Sequence, residues 1–122
     1  MSNYVFPPAP QAAVPVQGSS QHYAVRRIFC VGRNYAAHAR EMGADPEREP
    51  PFYFNKAPAH LVLSGASVPY ALGTQDLHHE MELVIALGAA AFRATPAQAR
   101  ECVWGYAVGL DMTRRDLQGE AK

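Results

Sequence analysis

Short apolar runs alternate along the chain with loops that are rich in proline, glycine and charged residues. Runs of β-branched and aromatic residues predict strands within VRRIFCVG (25–32), FYFNKAP (52–58) and VWGYAVGLDM (103–112). We expect two further strands, one within HLVLSGASVPY (60–70) and one over LHHEMELVIALG (77–88). The pattern therefore predicts a protein made mainly of short strands.

Two segments have the pattern of short helices instead. NYAAHAREMG (34–43) begins with an asparagine that can cap a helix and ends with a glycine that can stop one. In ATPAQAREC (94–102), Thr95 and Gln98 have the spacing of a capping box, with proline at the first helical position between them. Together with the strands, these helices predict an α+β fold with a sheet-dominated core.

Length and charge narrow the class of protein. The 122 residues are enough for one domain, which we place at residues 25–122, preceded by a proline-rich arm or edge strand pair at residues 1–24. Eleven basic and eleven acidic residues give no net charge, so neither a nucleic acid nor a membrane surface is an expected partner. The chain lacks the pattern of an export signal, so we expect Cys30 and Cys102 to be reduced thiols in a cytoplasmic protein.

The strand at 77–88 contains two glutamates that need an explanation. Because side chains alternate along a strand, Glu80 and Glu82 point to the same face, where two partly buried carboxylates would repel each other. A divalent cation such as Mg²⁺ or Mn²⁺ would remove that conflict, and Asp111 at the end of a later strand is the best candidate for a third oxygen ligand. The alternative is a solvated strand face.

Five other residues are candidates for chemistry. On a helix, His38 and Glu41 would share one face, where the carboxylate could orient the imidazole as a general base. If a turn of helix follows Asp111, Arg115 and Gln118 could donate hydrogen bonds to a developing negative oxygen. Separately, Lys56 is a cation that could bind a substrate carboxylate. The alternative in each case is an ordinary surface group.

Four segments in this order resemble the fumarylacetoacetate hydrolase family. They are IFCVGRNYAAHAREMG, PPFYFNKAP, DLHHEMELVIALG and GYAVGLDMTRRDLQ. Their sequences are most similar to those of the family's acylpyruvate branch, whose bacterial members cleave fumarylpyruvate in the breakdown of aromatic acids.

The resemblance implies a metal-dependent enzyme. It implies that Glu80, Glu82 and Asp111 bind Mg²⁺ or Mn²⁺ and that the fold is a mixed β-sheet roll, usually found as a homodimer. The family's catalytic domain continues beyond the segment that ends at Lys122, so we expect this chain to contain the first half of that domain.

The resemblance also implies a reaction. His38, with Glu41, would activate water, and Arg115 and Gln118 would bind substrate oxygens. The expected reaction is hydrolysis of a carbon–carbon bond in an acylpyruvate, giving pyruvate and a carboxylic acid. The alternatives are oxaloacetate decarboxylation or keto–enol isomerisation within the same family, or a non-catalytic metal-binding fragment.

Overall fold

The computed structural model describes residues 3–32 and 50–121. The helix predicted over 34–43, including His38 and Glu41, lies outside these residues. The chain divides into two compact units, Met1–Val68 and Pro69–Lys122.

The first unit contains two antiparallel strand pairs. Its elements are β1 (Ala13–Pro15), β2 (His22–Ala24), β3 (Ile28–Gly32), β4 (Phe52–Lys56) and a 3₁₀ turn (Pro58–His60). β1 pairs with β2 and β3 pairs with β4. Gly32 lies opposite Phe52, and a Cβ on Gly32 would come within 2.2 Å of the phenylalanine ring, so the ring's position requires glycine there. The strands predicted within 25–32 and 52–58 are thus confirmed.

The prediction of a strand within residues 60–70 was wrong. Residues 61–70 form turns and irregular backbone instead. The amide of Ala66 donates to the carbonyl of Leu63 at 3.2 Å, and Gly65 has a φ of 90°, which closes a turn in the middle of the apolar run. Pro69 removes one more backbone donor, so an apolar run with strand-like composition cannot pair as a strand here.

The second unit is a long antiparallel hairpin with a helix at each end of its second strand. Its elements are β5 (Leu77–Leu87), α1 (Pro96–Glu101), β6 (Val103–Arg114) and α2 (Arg115–Glu120). The capping box of α1 is confirmed, with Thr95 Oγ1 accepting from the amide of Gln98 at 3.2 Å and Gln98 Oε1 accepting from the amide of Thr95 at 3.0 Å. None of the helices in the described part of the chain is long and apolar enough to cross a bilayer.

The register of the hairpin separates two chemically different faces. The carboxylate face comprises, in β5 and then β6, Glu80, Glu82, Val84, Ala86, Gly105, Ala107, Gly109 and Asp111. The apolar face comprises Met81, Leu83, Ile85, Tyr106, Val108 and Leu110. All six side chains of the apolar face are between 51% and 75% exposed in this chain. Cross-strand neighbours therefore sort into one face with acidic and small residues and one face with large apolar residues.

Candidate metal centre

Glu80, Glu82 and Asp111 form a cluster on the carboxylate face. Glu80 lies directly opposite Asp111 in the β5–β6 register, and Glu82 lies opposite Gly109. Each of the three carboxylates offers an oxygen within 4.8 Å of the oxygens offered by the other two. All three residues are half-buried, so the register of one hairpin brings the three predicted ligands together.

The donor set of this cluster fits a hard divalent cation. The Oδ1 atom of Asp111 is enclosed by protein atoms, and a coordinated cation can replace the hydration that a carboxylate oxygen loses on burial. The two neighbouring glutamates add negative charge at short range. Three oxygen ligands select cations such as Mg²⁺, Mn²⁺ or Ca²⁺ over softer metals. The residues present could therefore hold such an ion.

Arg115 and Gln118 lie beside this cluster. The Nη2 atom of Arg115 donates a hydrogen bond to Glu80 Oε1, and Nη1 donates to Gln118 Oε1 at 2.6 Å. The helical turn on which these two roles depended is present as α2, which begins at Arg115 because β6 continues past Asp111 through Arg114. The guanidinium thus brings a fixed positive charge to the edge of the acidic cluster.

Helix α2 is bound to the loop that precedes β5. The carboxylate of Asp116 accepts a hydrogen bond from the hydroxyl of Thr74 at 2.5 Å and from the amide of Gln75 at 3.0 Å. The amide of Arg115 donates to the carbonyl of Asp76 at 2.8 Å. The Thr74 hydrogen bond, followed by that from Gln75, lowers the pKa of Asp116 below its usual 3.8. Three consecutive loop residues therefore contact the start of α2.

Sequence reasoning missed Thr74 and Asp116. An acidic residue in the first turn of a helix is a weak signal, because it is favourable at any helix N-terminus. Nothing in the sequence connects it to a threonine 42 positions earlier.

The other predicted residues lie elsewhere. Lys56 ends β4 in the first unit, and so its part in the site stays a prediction. His38 and Glu41 are outside the described residues. His78 points to the carboxylate face by strand parity, but its Nε2 atom lies 2.7 Å from Asp76 Oδ1, at the end of the hairpin.

Comparison with known proteins gives one family match and several relatives. The model of the family described as fumarylacetoacetate (FAA) hydrolase C-terminal matches residues 27–122. Fumarylpyruvate hydrolase from a Ralstonia species is 55% identical over 74 residues, which are 61% of this chain and 38% of that protein. The mitochondrial oxaloacetate tautomerase of Arabidopsis thaliana is 42% identical over 97 residues, which are 79% of this chain and 43% of that protein.

A solved structure also matches. The crystal structure of fumarylpyruvate hydrolase from Pseudomonas aeruginosa, in complex with Mn²⁺ and pyruvate, superposes with a TM-score of 0.90 at 52% identity. The match covers 97% of this chain and 52% of the Pseudomonas protein. The chain therefore spans about half the length of that protein and a smaller share of the Ralstonia and Arabidopsis relatives. The match confirms the predicted α+β fold of this type, although the strand pairs among the described residues are all antiparallel. The chain belongs to the fumarylacetoacetate hydrolase family.

Proposed function

We propose that this protein hydrolyses a carbon–carbon bond in an acylpyruvate such as fumarylpyruvate, using a divalent metal, Mg²⁺ or Mn²⁺. The observation that supports it best is the cluster of Glu80, Glu82 and Asp111, with oxygens within 4.8 Å of one another and Arg115 at its edge. The similarity to a fumarylpyruvate hydrolase that holds Mn²⁺ and pyruvate supports the same reaction. We also propose that the protein acts as a cytoplasmic homodimer.

In this proposal the three carboxylates of the cluster hold the metal. When bound, the metal supplies Lewis-acid polarisation of the 2-oxo acid end of the substrate. Arg115 and Gln118 bind substrate oxygens, because a guanidinium has five N–H donors and only part of them is used by Glu80 and Gln118 in this structure. Lys56 is the further cation that we assign to a substrate carboxylate.

His38 and Glu41 supply the base. The imidazole of His38 takes a proton from water, and Glu41 stabilises the imidazolium that forms. The resulting hydroxide adds to the distal ketone. The bond between that carbon and the neighbouring methylene then breaks, its electron pair passes to the pyruvate half, and a proton completes pyruvate while the acyl half leaves as a carboxylic acid.

Keto–enol isomerisation of oxaloacetate is the second candidate. The similarity to an oxaloacetate tautomerase across 79% of this chain favours it. The same carboxylates and Arg115 would bind oxaloacetate, but the reaction needs only proton transfer and no attack by water. Oxaloacetate decarboxylation could start from the same bound substrate. It would break the bond between the methylene carbon and its carboxylate, which leaves as CO₂.

A spectrophotometric assay tests the proposal. The chain is assayed on fumarylpyruvate, acetylpyruvate and oxaloacetate with Mg²⁺ and then with EDTA. We expect turnover of an acylpyruvate that EDTA abolishes and that His38→Ala or Glu41→Ala reduces by at least about 100-fold, since general-base catalysis typically contributes that much. His60→Ala is the matched control, because His60 is an exposed histidine of the first unit and should leave the rate unchanged.

Three results would contradict it. Conversion of oxaloacetate alone, at the same rate in His38→Ala, would favour the isomerase. Release of CO₂ from oxaloacetate would favour the decarboxylase. Binding of Mn²⁺ without turnover of any of the three acids would favour a non-catalytic metal-binding fragment.

A further inference from the structure

We propose that Asp116 is a positioning residue that, through Thr74 and the backbone of residues 75 and 76, holds Arg115 and Gln118 against the carboxylate cluster. The inference rests on the proposed function, because it gives these two side chains a substrate to bind. Asp116 itself would touch neither substrate nor metal.

The first step is that α2 is too short to be stable without contacts to the rest of the protein. It has six residues, which is too short for a stable helix in water, and the side chain of Arg114 at its N-cap does not cap the helix but donates to the carbonyl of Leu72 at 3.3 Å. Its geometry must therefore come from tertiary contacts. Among the described residues, the loop at 74–76 provides three such hydrogen bonds within the first two residues of the helix.

The second step is that neighbouring residues of α2 point to different partners. The carboxylate of Asp116 is directed to Thr74 and Gln75, whereas the side chain of Arg115 is directed to Glu80. Gln118, one turn further along the same helix, accepts from Arg115 at 2.6 Å. Fixing Asp116 in the loop therefore fixes the direction in which Arg115 and Gln118 leave the helix.

The third step concerns the chemistry of the link. The carboxylate accepts from Thr74, Gln75 and its own neighbour's amide, that of Leu117 at 3.0 Å. Asparagine in its place would lose the charge, and its NH₂ group cannot accept from an amide. The Thr74 bond is also the largest of the causes that lower the pKa of Asp116.

The experiment compares Asp116→Asn with Glu120→Gln, which removes an exposed acidic charge from the same helix. A second pair, Thr74→Val and Thr74→Ser, removes or retains the hydroxyl. Each protein is examined for Mn²⁺ affinity, for pyruvate affinity in the presence of Mn²⁺, and for amide hydrogen exchange of peptides that contain Gln75 and Arg115.

We expect Asp116→Asn and Thr74→Val to weaken pyruvate binding by about tenfold or more, which is the usual loss when an outer-shell partner of a site is removed. Mn²⁺ affinity should stay within about threefold of the wild type, because the hairpin register sets the backbone positions of the three ligand residues, whereas α2 contacts one of them, Glu80, through Arg115. Exchange at both peptides should accelerate, and Thr74→Ser and Glu120→Gln should behave as the wild type.

Wild-type pyruvate affinity in Asp116→Asn, or an equal loss in Glu120→Gln, would overturn the inference. So would a Thr74→Ser variant that is no better than Thr74→Val. A wild type that binds Mn²⁺ and pyruvate but turns over no acylpyruvate would refute the proposed reaction alone, since none of these measurements depends on turnover.

Discussion

The two faces of the β5–β6 hairpin are made by the same two strands, but they differ in the charge, the size and the exposure of their side chains. On the carboxylate face, Glu80 lies opposite Asp111 and Glu82 lies opposite Gly109, and the three acidic residues are half-buried. On the apolar face, six large side chains are each more than half exposed. A side-chain period of two is enough to place a candidate site on one side of the hairpin and an uncovered apolar surface on the other.

The difference shows that exposure and polarity do not follow each other in this chain. Charged groups are usually the exposed ones and large apolar groups the buried ones. Here the three acidic residues are half-buried, whereas each of the six large side chains on the apolar face is more than half exposed. The carboxylate face offers oxygen ligands close enough together to hold a cation, and the apolar face is an exposed patch of the kind that often contacts another apolar surface.

The largest expected effect is on metal affinity, and it should be confined to one face. Glu82→Gln should weaken Mn²⁺ binding by more than about 100-fold, because even outer-shell changes cost 10- to 100-fold and this change removes a charged ligand. Leu83→Gln, the adjacent residue on the other face, should leave the affinity within about threefold. Titration followed by the EPR signal of free Mn²⁺ measures both, and an equal loss in Leu83→Gln would contradict the separation of the faces.

The apolar face should govern the solution state of the chain. We expect the 122-residue chain alone to be poorly stable, and also to associate and to bind the dye ANS, because exposed apolar surface favours association and dye binding. Changing the cross-strand pair Leu83 and Val108 to threonine should reduce dye fluorescence by roughly a third, since it removes two of six exposed apolar residues.

Light scattering and a thermal scan are the accompanying measurements. A monodisperse monomer of these 122 residues with a cooperative thermal transition would contradict this prediction. The matched control is Val84→Thr on the carboxylate face, which should change dye binding less.

Glycines on the carboxylate face should differ in their tolerance of a methyl group. A Cβ on Gly109 would lie 2.8 Å from Val84 Cγ2, so Gly109→Ala should displace Val84 beside Glu82 and weaken Mn²⁺ binding by roughly three- to tenfold. Gly105→Ala, on the same strand and face, has open space and should leave the affinity unchanged. Equal affinities in the two variants would show that Val84 does not shape the site.

The smallest expected effect is the acid dependence of the link between α2 and the loop. Because the pKa of Asp116 is lowered in the folded chain, its hydrogen bonds contribute fully above the usual value of 3.8 and are lost as the pH falls through the lower, folded value. A carbon NMR titration of the Asp116 carboxyl should show this, and Thr74→Val should return its pKa towards 3.8 because the largest cause of the shift is gone. An unchanged pKa in Thr74→Val would contradict the assignment.

Local signals in the sequence predicted the elements that build the site. The alternation in β5 placed Glu80 and Glu82 on one face, and Thr95 with Gln98 marked the start of α1. The wrong strand within 60–70 shows the limit of composition, because a turn at Gly65 decides the backbone there. Contacts between distant segments leave no such signal, and so the bond between Thr74 and Asp116 could be found only in the structure.

The pairing of Glu80 with Asp111 has a consequence for folding. The two residues are adjacent only after β5 has paired with β6, which brings together the two ends of the intervening segment that contains α1. The complete set of ligands therefore does not exist in the unfolded chain. A divalent ion that binds all three carboxylates would link the two strands. Because it would bind only the paired strands, it would stabilise them by about 2.7 kcal/mol at an ion concentration 100 times the dissociation constant. On that basis, the concentration of the ion would determine what fraction of the chain has the closed hairpin.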